Sequence, residues 1–210
     1  MKSQTPHPLL TLLLAVFFNL ITLNPAANAG VFTLTQFVEQ HNWSLGLEPE
    51  VTLTNDSGFA VDAKFTYGIT SLSNLQFGMG PGSGRRQFRI GGAYTLDFIP
   101  DLDGQVGTGI ALQGYVYKLR YGVTSTELTL VPYVHKSFDV GNGTSVDPYF
   151  SLPLGMSLAN GEYKGITQAV FGSFFKLTPN FSYSLELGLN LVHSNPYSDS
   201  YIAGGIIYTN

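Results

Sequence analysis

The chain has no cysteine, so nothing covalent can staple it and a disulfide scaffold is excluded. Charge is scarce as well: Asp, Glu, Lys and Arg make up 11% of the residues, less than half of the roughly 25% that an ordinary soluble domain carries. No stretch beyond residue 29 is long and continuously apolar, which excludes a bundle of membrane-spanning helices there. Basic residues are too few for a nucleic-acid binder, since the formal net charge is −4. The 24 glycines follow no fixed period, which excludes a collagen-like chain. Aromatics, by contrast, are plentiful, with 15 Phe and 12 Tyr, and so many excludes intrinsic disorder.

The first 29 residues have the layout of a cleaved secretory signal peptide. Lys2 supplies the positive start, Leu9–Leu23 the apolar run, and Ala27-Asn28-Ala29 the small-residue cleavage site before Gly30. At about fifteen residues, interrupted by Asn19 and followed by Pro25, the run falls short of the ~20 needed to span a bilayer as a helix. The segment 30–41 is expected to be a lead-in. Leu34, Phe37, Val38 and His41 would share one face of a short interfacial helix, with a frayed lead-in or an eleventh pairing segment as the alternatives.

From residue 42 onward the dominant signal is alternation with period two. In Trp43–Leu53 the odd positions carry Trp43, Leu45, Leu47, Pro49, Val51 and Leu53, and polar or small residues lie between them. Phe59–Ile69 repeats the pattern, as do windows around 75–79, 88–98, 106–116, 128–138, 146–158, 166–177, 183–191 and 202–208, ten in all. The window at 166–177 is the least regular, because Phe171, Phe174 and Phe175 fall on both parities. Turn signals separate the windows, among them Asn142-Gly143, Asn160-Gly161 and Thr178-Pro179-Asn180. Connections this short pair each strand antiparallel with the next. A three-residue loop at 55–57 would set Leu47 opposite Phe65, Leu45 opposite Tyr67, Glu48 opposite Lys64 and Glu50 opposite Asp62.

A soluble sandwich would alternate too, with its apolar face inward. Two features favour the inverse. The polar face is poor in charge and rich in small residues, which suit the inside of a narrow cylinder. Aromatics also gather at one end of the apolar face: Trp43, Tyr67, Phe98, Phe138, Tyr183 and Tyr208 form a candidate interfacial girdle, while Phe59 and Phe88 begin strands at the other end. The fold expected is therefore all-β, a closed antiparallel up-and-down transmembrane barrel over residues 42–210, most simply of ten strands, with eight or twelve as alternatives. Pro49, Pro132, Pro148 and Pro153 fall inside these strands and are expected at bulges or ladder breaks near the rims.

Tyr67-Gly68-Ile69-Thr70, Phe175-Lys176-Leu177-Thr178-Pro179-Asn180-Phe181 and Gly204-Gly205-Ile206-Ile207-Tyr208 resemble the strand ends and turns of small Gram-negative outer-membrane β-barrel proteins. That resemblance implies a monomer in the outer membrane with both termini periplasmic. It implies membrane lipid and lipopolysaccharide as partners, and a barrel-insertion machinery that reads the last strand near Tyr208.

By parity Glu48, Glu50, Asp62, Lys64, Arg89, Glu127, His135 and Glu186 point into the lumen. They form either a charged pathway, cation-preferring because acids outnumber bases, or a buried ion-pair network that fills the barrel. Arg85 and Arg86 follow a glycine-rich turn and either contact lipopolysaccharide phosphates at the outer rim or form a solvated basic turn. His135, Ser137 and Asp139 share a face, and His193 with Asp199 lies in the last outer connection; either set is a faint pointer to hydrolytic chemistry. No metal-ligand spacing and no cofactor motif is present. The function expected is a non-enzymatic structural or interaction role in the envelope, with a narrow pore and an outer-leaflet lipid-modifying enzyme as the alternatives.

Overall fold

Successive side chains of a strand point to opposite faces, so sustained alternation yields a sheet with one greasy and one polar side. The computed structural model, which describes residues 37–53, 57–102, 104–191 and 200–210, rolls that sheet into a closed cylinder. Twelve strand segments follow in order: β1 (Trp43–Thr52), β2 (Phe59–Thr70), β3 (Ser73–Pro81), β4 (Arg86–Ile99), β5 (Gly107–Leu119), β6 (Thr124–His135), β7 (Phe138–Gly141), β8 (Thr144–Ser151), β9 (Leu154–Ala159), β10 (Glu162–Lys176), β11 (Phe181–Asn190) and β12 (Tyr201–Thr209). All pairings are antiparallel, and β12 returns to β1 to close the circuit.

The circuit has ten staves. β8 and β9 together make one of them: both lie between β6 and β10, and they keep a single register across the Leu152-Pro153 interruption. β7 pairs only with β8 and stands as a rim extension outside the closed circuit. The expected count of ten and the up-and-down order are therefore confirmed.

The prolines sit where the ladder pauses. Pro49 lies on the β1–β12 seam between the pairs Leu47–Ile206 and Glu50–Ala203. Pro132 stands where β6 changes partner from β9 to β8, across from the Leu152-Pro153 gap. Pro148 lies just past the end of the β6–β8 ladder, its carbonyl accepting from Lys136 N. Removing an N–H is cheap only at such positions.

One register expectation is corrected. β1 and β2 are offset by two residues from the expected pairing: Leu45 lies opposite Phe65, Leu47 opposite Ala63, Glu48 opposite Asp62 and Glu50 opposite Ala60. The last pair is Val51–Phe59, so the connection is longer than three residues. A slip of two keeps every side chain on its face, and for that reason the alternation could not detect it.

The apolar side chains look outward. Leu47, Leu75, Phe98, Leu112, Leu128, Met156, Phe171, Leu185 and Ile206 are all exposed, Leu47 by 59%. On the outer face of the ten staves Lys118 is the one charged side chain among the described residues, and it stands one residue before the end of β5. Burial is inverted relative to a water-soluble domain: Asp62 is 0% exposed and Arg89 is 1%. An unbroken apolar belt with no free sheet edge is the surface that hydrocarbon requires, and the molecule is a membrane β-barrel.

Both ends of the barrel segment meet at one rim, called here the terminal rim, where Asn210 N donates to Trp43 O at 3.0 Å. In the lead-in, residues 37–42 are not helical, and they fold against the barrel's mouth. Val38 is buried, Phe37 stacks on His135 at 6.0 Å, and His41 N bonds Gly68 O. The leader and residues 30–36 lie outside the described residues.

Candidate functional site: the filled lumen

Strands β1 to β4 bring the main charge cluster together. Alternation turns Glu48, Glu50, Asp62, Lys64 and Arg89 inward, and register stacks them at neighbouring heights. Arg86 Nη1 donates to Glu50 Oε1 at 3.0 Å, and Arg86 Nη2 to Asp62 Oδ2 at 3.2 Å. Arg89 grips the same Asp62 with two nitrogens, Nε at 3.3 Å and Nη2, and approaches Glu50 at 3.7 Å. Its guanidinium also sits 5.7 Å from the centre of the Tyr115 ring. Two carboxylates and two guanidiniums thus form a closed quartet, the arrangement that offsets the several kcal/mol that each buried ion loses on leaving water. Lys64 Nζ donates to Glu48 at 2.5 Å, a diagonal pair that survives the two-residue offset.

Two further clusters fill the cylinder. Tyr149 and Tyr201 both donate their hydroxyls to Glu186. Nearer the terminal rim, Asp97 accepts from Tyr133 at 2.6 Å and faces His135 Nε2 at 3.0 Å. Glu127 is buried on β6, at the height of Tyr115 across the β5–β6 ladder. Ala111, Val131, Val170 and Phe174 pack with Tyr133 and Tyr149 into an apolar core on the remaining side. Among the described residues the buried charges are six carboxylates (Glu48, Glu50, Asp62, Asp97, Glu127, Glu186) against three cations (Lys64, Arg86, Arg89).

Three of these features were not anticipated from sequence. Arg86, expected at the outer rim, is a correction: it is buried and belongs to the quartet. The cause is a bulge between Arg86 and Phe88, which shifts the parity of β4 by one at its first residues. Asp97 shares the parity of Arg89 and could have been counted with it. The inward tyrosines were missed because small residues were expected inside. Room for them comes from glycines directly opposite: Gly91–Tyr115, Gly109–Tyr133, Gly172–Tyr149 and Gly188–Tyr201 are cross-strand pairs. A Cβ at Gly172 or Gly188 would overlap its partner's ring.

The aromatic residues picked from sequence lie near the terminal rim on the outer side. Trp43 packs against Tyr208 at 5.9 Å, Phe181 meets Tyr208 edge-on at 5.3 Å, and Tyr67 lies opposite Trp43. Phe98, Phe138 and Tyr183 are exposed there, Phe138 on the rim extension β7.

A cavity of about 350 Å³ opens at the same rim, bordered by Asp101, His135, Ser137, Asp147, Tyr149 and Lys176. The hydrolytic trio does not assemble in it. His135 Nε2 turns to Asp97, Ser137 Oγ donates to Asp147 at 2.5 Å, and Asp139 accepts from Gly141 N. Lys136 ties the neighbouring loop together through Asp101 at 2.5 Å and the carbonyls of Leu102 and Gln105. Burial pushes the Asp101 carboxyl up, but the Lys136 ammonium and the Ser137 N–H outweigh it and hold it below its ordinary 3.8. His193 and Asp199 lie outside the described residues.

No family model and no curated protein sequence matches the chain. Among solved structures, a de novo designed transmembrane β-barrel is similar with 14% identity and a TM-score of 0.39, over 83% of this chain and 100% of the design. An outer membrane channel from Pseudomonas putida F1 is similar with 10% identity and a TM-score of 0.46, over 90% of this chain and 100% of the channel chain.

Proposed function

We propose that the chain is an integral protein of the Gram-negative outer membrane, with both termini periplasmic, serving in envelope structure or interaction without catalysis and without an open channel. The observation that carries this reading is the state of the lumen. The charged side chains that would line a pathway are buried and pair with one another across it, with Arg89 1% exposed and Asp62 0%. A conducting pore needs polar groups that face water and bind ions weakly enough to release them; the charges of the quartet are instead paired with one another. The signal-peptide pattern and the apolar belt support export and insertion into a bilayer as a closed barrel, and lipid and lipopolysaccharide are the partners proposed for that belt. The protein is taken to be a monomer placed by the barrel-insertion machinery. The separate partners of His135, Ser137 and Asp139 favour the non-catalytic reading.

Planar-bilayer recording of the full-length mature protein tests the proposal. The expected result is no stable conductance step, for the wild type and for a variant with Glu50→Gln and Asp62→Asn. Reproducible cation-selective steps from the wild type would replace this reading with a pore, the direction favoured by six buried carboxylates against three cations among the described residues.

A further inference from the structure

The lead-in turns the mouth at the terminal rim into a walled cavity. His41 N donates to Gly68 O at 2.9 Å and Gly68 N to Asn42 O at 3.0 Å, which fastens one end of the segment to β2. From there it reaches across to β6, where Phe37 stacks on His135. Phe37 is thus one wall of the space of about 350 Å³, and β8 and β10 supply another. On that side Tyr149 and Phe174 stack at 5.3 Å between ring centres.

The charges that border the cavity leave one couple of opposite sign unmatched. Asp101 is held by Lys136 and the Ser137 N–H, and His135 faces Asp97. Asp139, one strand further out on β7, does not border the cavity and accepts from Gly141 N. Glu186 is buried and accepts from the Tyr149 and Tyr201 hydroxyls. There remain Asp147 on β8 and Lys176 on β10. Phe174 stands opposite Asp147 and Lys176 opposite Ser145, so the two charges are diagonal neighbours on the inner face, roughly 7–8 Å apart at the backbone. They do not pair with each other. Asp147 accepts from Ser137 Oγ at 2.5 Å and from Ser145 Oγ at 3.4 Å, and Lys176 makes no ion pair among the described residues. Two hydroxyl donors leave the carboxylate oxygens further lone pairs to offer.

We infer that this cavity binds a free α-amino acid with a large apolar side chain, its ammonium on Asp147, its carboxylate on Lys176 Nζ and its side chain between Phe37 and Phe174. Charge, spacing and surface select this class. A lone anion would leave Asp147 unanswered and a lone cation would leave Lys176 so, whereas a zwitterion meets both. The two charged groups of an α-amino acid sit on one carbon, a spacing suited to side chains that are diagonal neighbours. The rings give the apolar part a surface, and the volume lies at the lower end of small-molecule sites. The site goes beyond the envelope reading and does not depend on which side of a membrane the mouth faces.

Equilibrium dialysis of the full mature chain in detergent micelles, corrected for uptake by empty micelles, tests the site with L-phenylalanine as the probe. Phenylethylamine lacks the carboxylate, 3-phenylpropionate lacks the ammonium and glycine lacks the ring. Each is expected to bind at least about tenfold more weakly than phenylalanine, the loss of one charged contact or of the buried ring. K176Q should weaken phenylalanine by about the same factor and leave phenylethylamine unchanged. D147N should weaken phenylalanine likewise and leave 3-phenylpropionate unchanged. No uptake of millimolar phenylalanine by the wild type overturns the site. So does equal binding of phenylalanine and either singly charged analogue, or a variant that weakens all four ligands alike. Anomalous gel migration of the unheated variants shows that their barrels are intact, so a lost site is separated from a lost fold. Absence of that migration in the wild type would instead overturn the membrane-barrel reading itself.

Discussion

Asp62 accepts from both Arg86 and Arg89 inside a space closed to water, and Glu50 shares the same two guanidiniums. Removing one cation from such a quartet leaves a buried carboxylate without its partner, whereas removing a cation and an anion together leaves the count balanced. Arg89→Met is therefore expected to destabilise the barrel by about 3–5 kcal/mol, read as a shift in the urea midpoint of the folded band on an unheated gel. Arg89→Met combined with Asp62→Leu should recover most of that loss. If the double variant is no better than the single one, size and not charge governs the site. Asp101 makes a different residue-scale prediction. Its folded carboxyl titrates below the ordinary 3.8, so the anion contributes stability in full above that value. The contribution fades as pH falls through the lower folded value. The advantage of the wild type over Asp101→Asn should be constant above about pH 4 and shrink in more acidic solution; an advantage that grows on acidification would contradict the assigned direction.

At the scale of elements, glycine and tyrosine act as a unit. Gly188 on β11 lies directly opposite Tyr201 on β12, whose hydroxyl reaches Glu186, and a Cβ at Gly188 would overlap the Tyr201 ring. Gly188→Ala should cost about 1–3 kcal/mol through overpacking, and placing Tyr201→Ala in the same chain should remove that cost. A double-mutant cycle reads this as strong coupling; additive effects would show that the ring and the glycine do not compete for the same space. These pairs explain why part of the interior was hidden in the sequence. Tyr115 and Tyr117 share the parity of Gln113, and Tyr133 that of Glu127, so their inward direction was legible. Their fit was not, because the opposing glycine is known only once strand register is known. The β1–β2 offset by two residues shows how weakly alternation constrains register, and the bulge that redirects Arg86 leaves no mark in the residue pattern at all. The Asn160-Gly161 turn lies at the other extreme. Both residues adopt positive φ, 52° and 78°, as a two-residue hairpin between paired Ala159 and Glu162 demands, and the dipeptide alone pointed to it.

For the whole molecule, ten alternating windows became ten staves because period and length are properties each strand carries by itself. Closure was legible for a different reason: an apolar outer face leaves no solvent in which an open edge could be satisfied. The interior's chemistry was legible only as a set of inward acids and bases, since which of them meet depends on four strands at once. The inside-out arrangement makes a prediction whose size differs from that of a water-soluble protein. Leu112 stands midway along β5, 51% exposed, with Tyr94 and Leu130 on either side. On a surface facing water, Leu112→Arg would change stability by no more than about 0.5 kcal/mol. On a surface facing hydrocarbon, the guanidinium must thin the bilayer or draw water in, at about 2–4 kcal/mol near the midplane. The same substitution at Val116, one outward position before Lys118, should cost less, because the side chain can reach the headgroups. Unfolding titrations in phospholipid vesicles should therefore show a penalty that falls from Leu112 to Val116. Equal and negligible effects at the two positions would mean that this face meets water, and that the barrel's inside and outside are the reverse of those assigned.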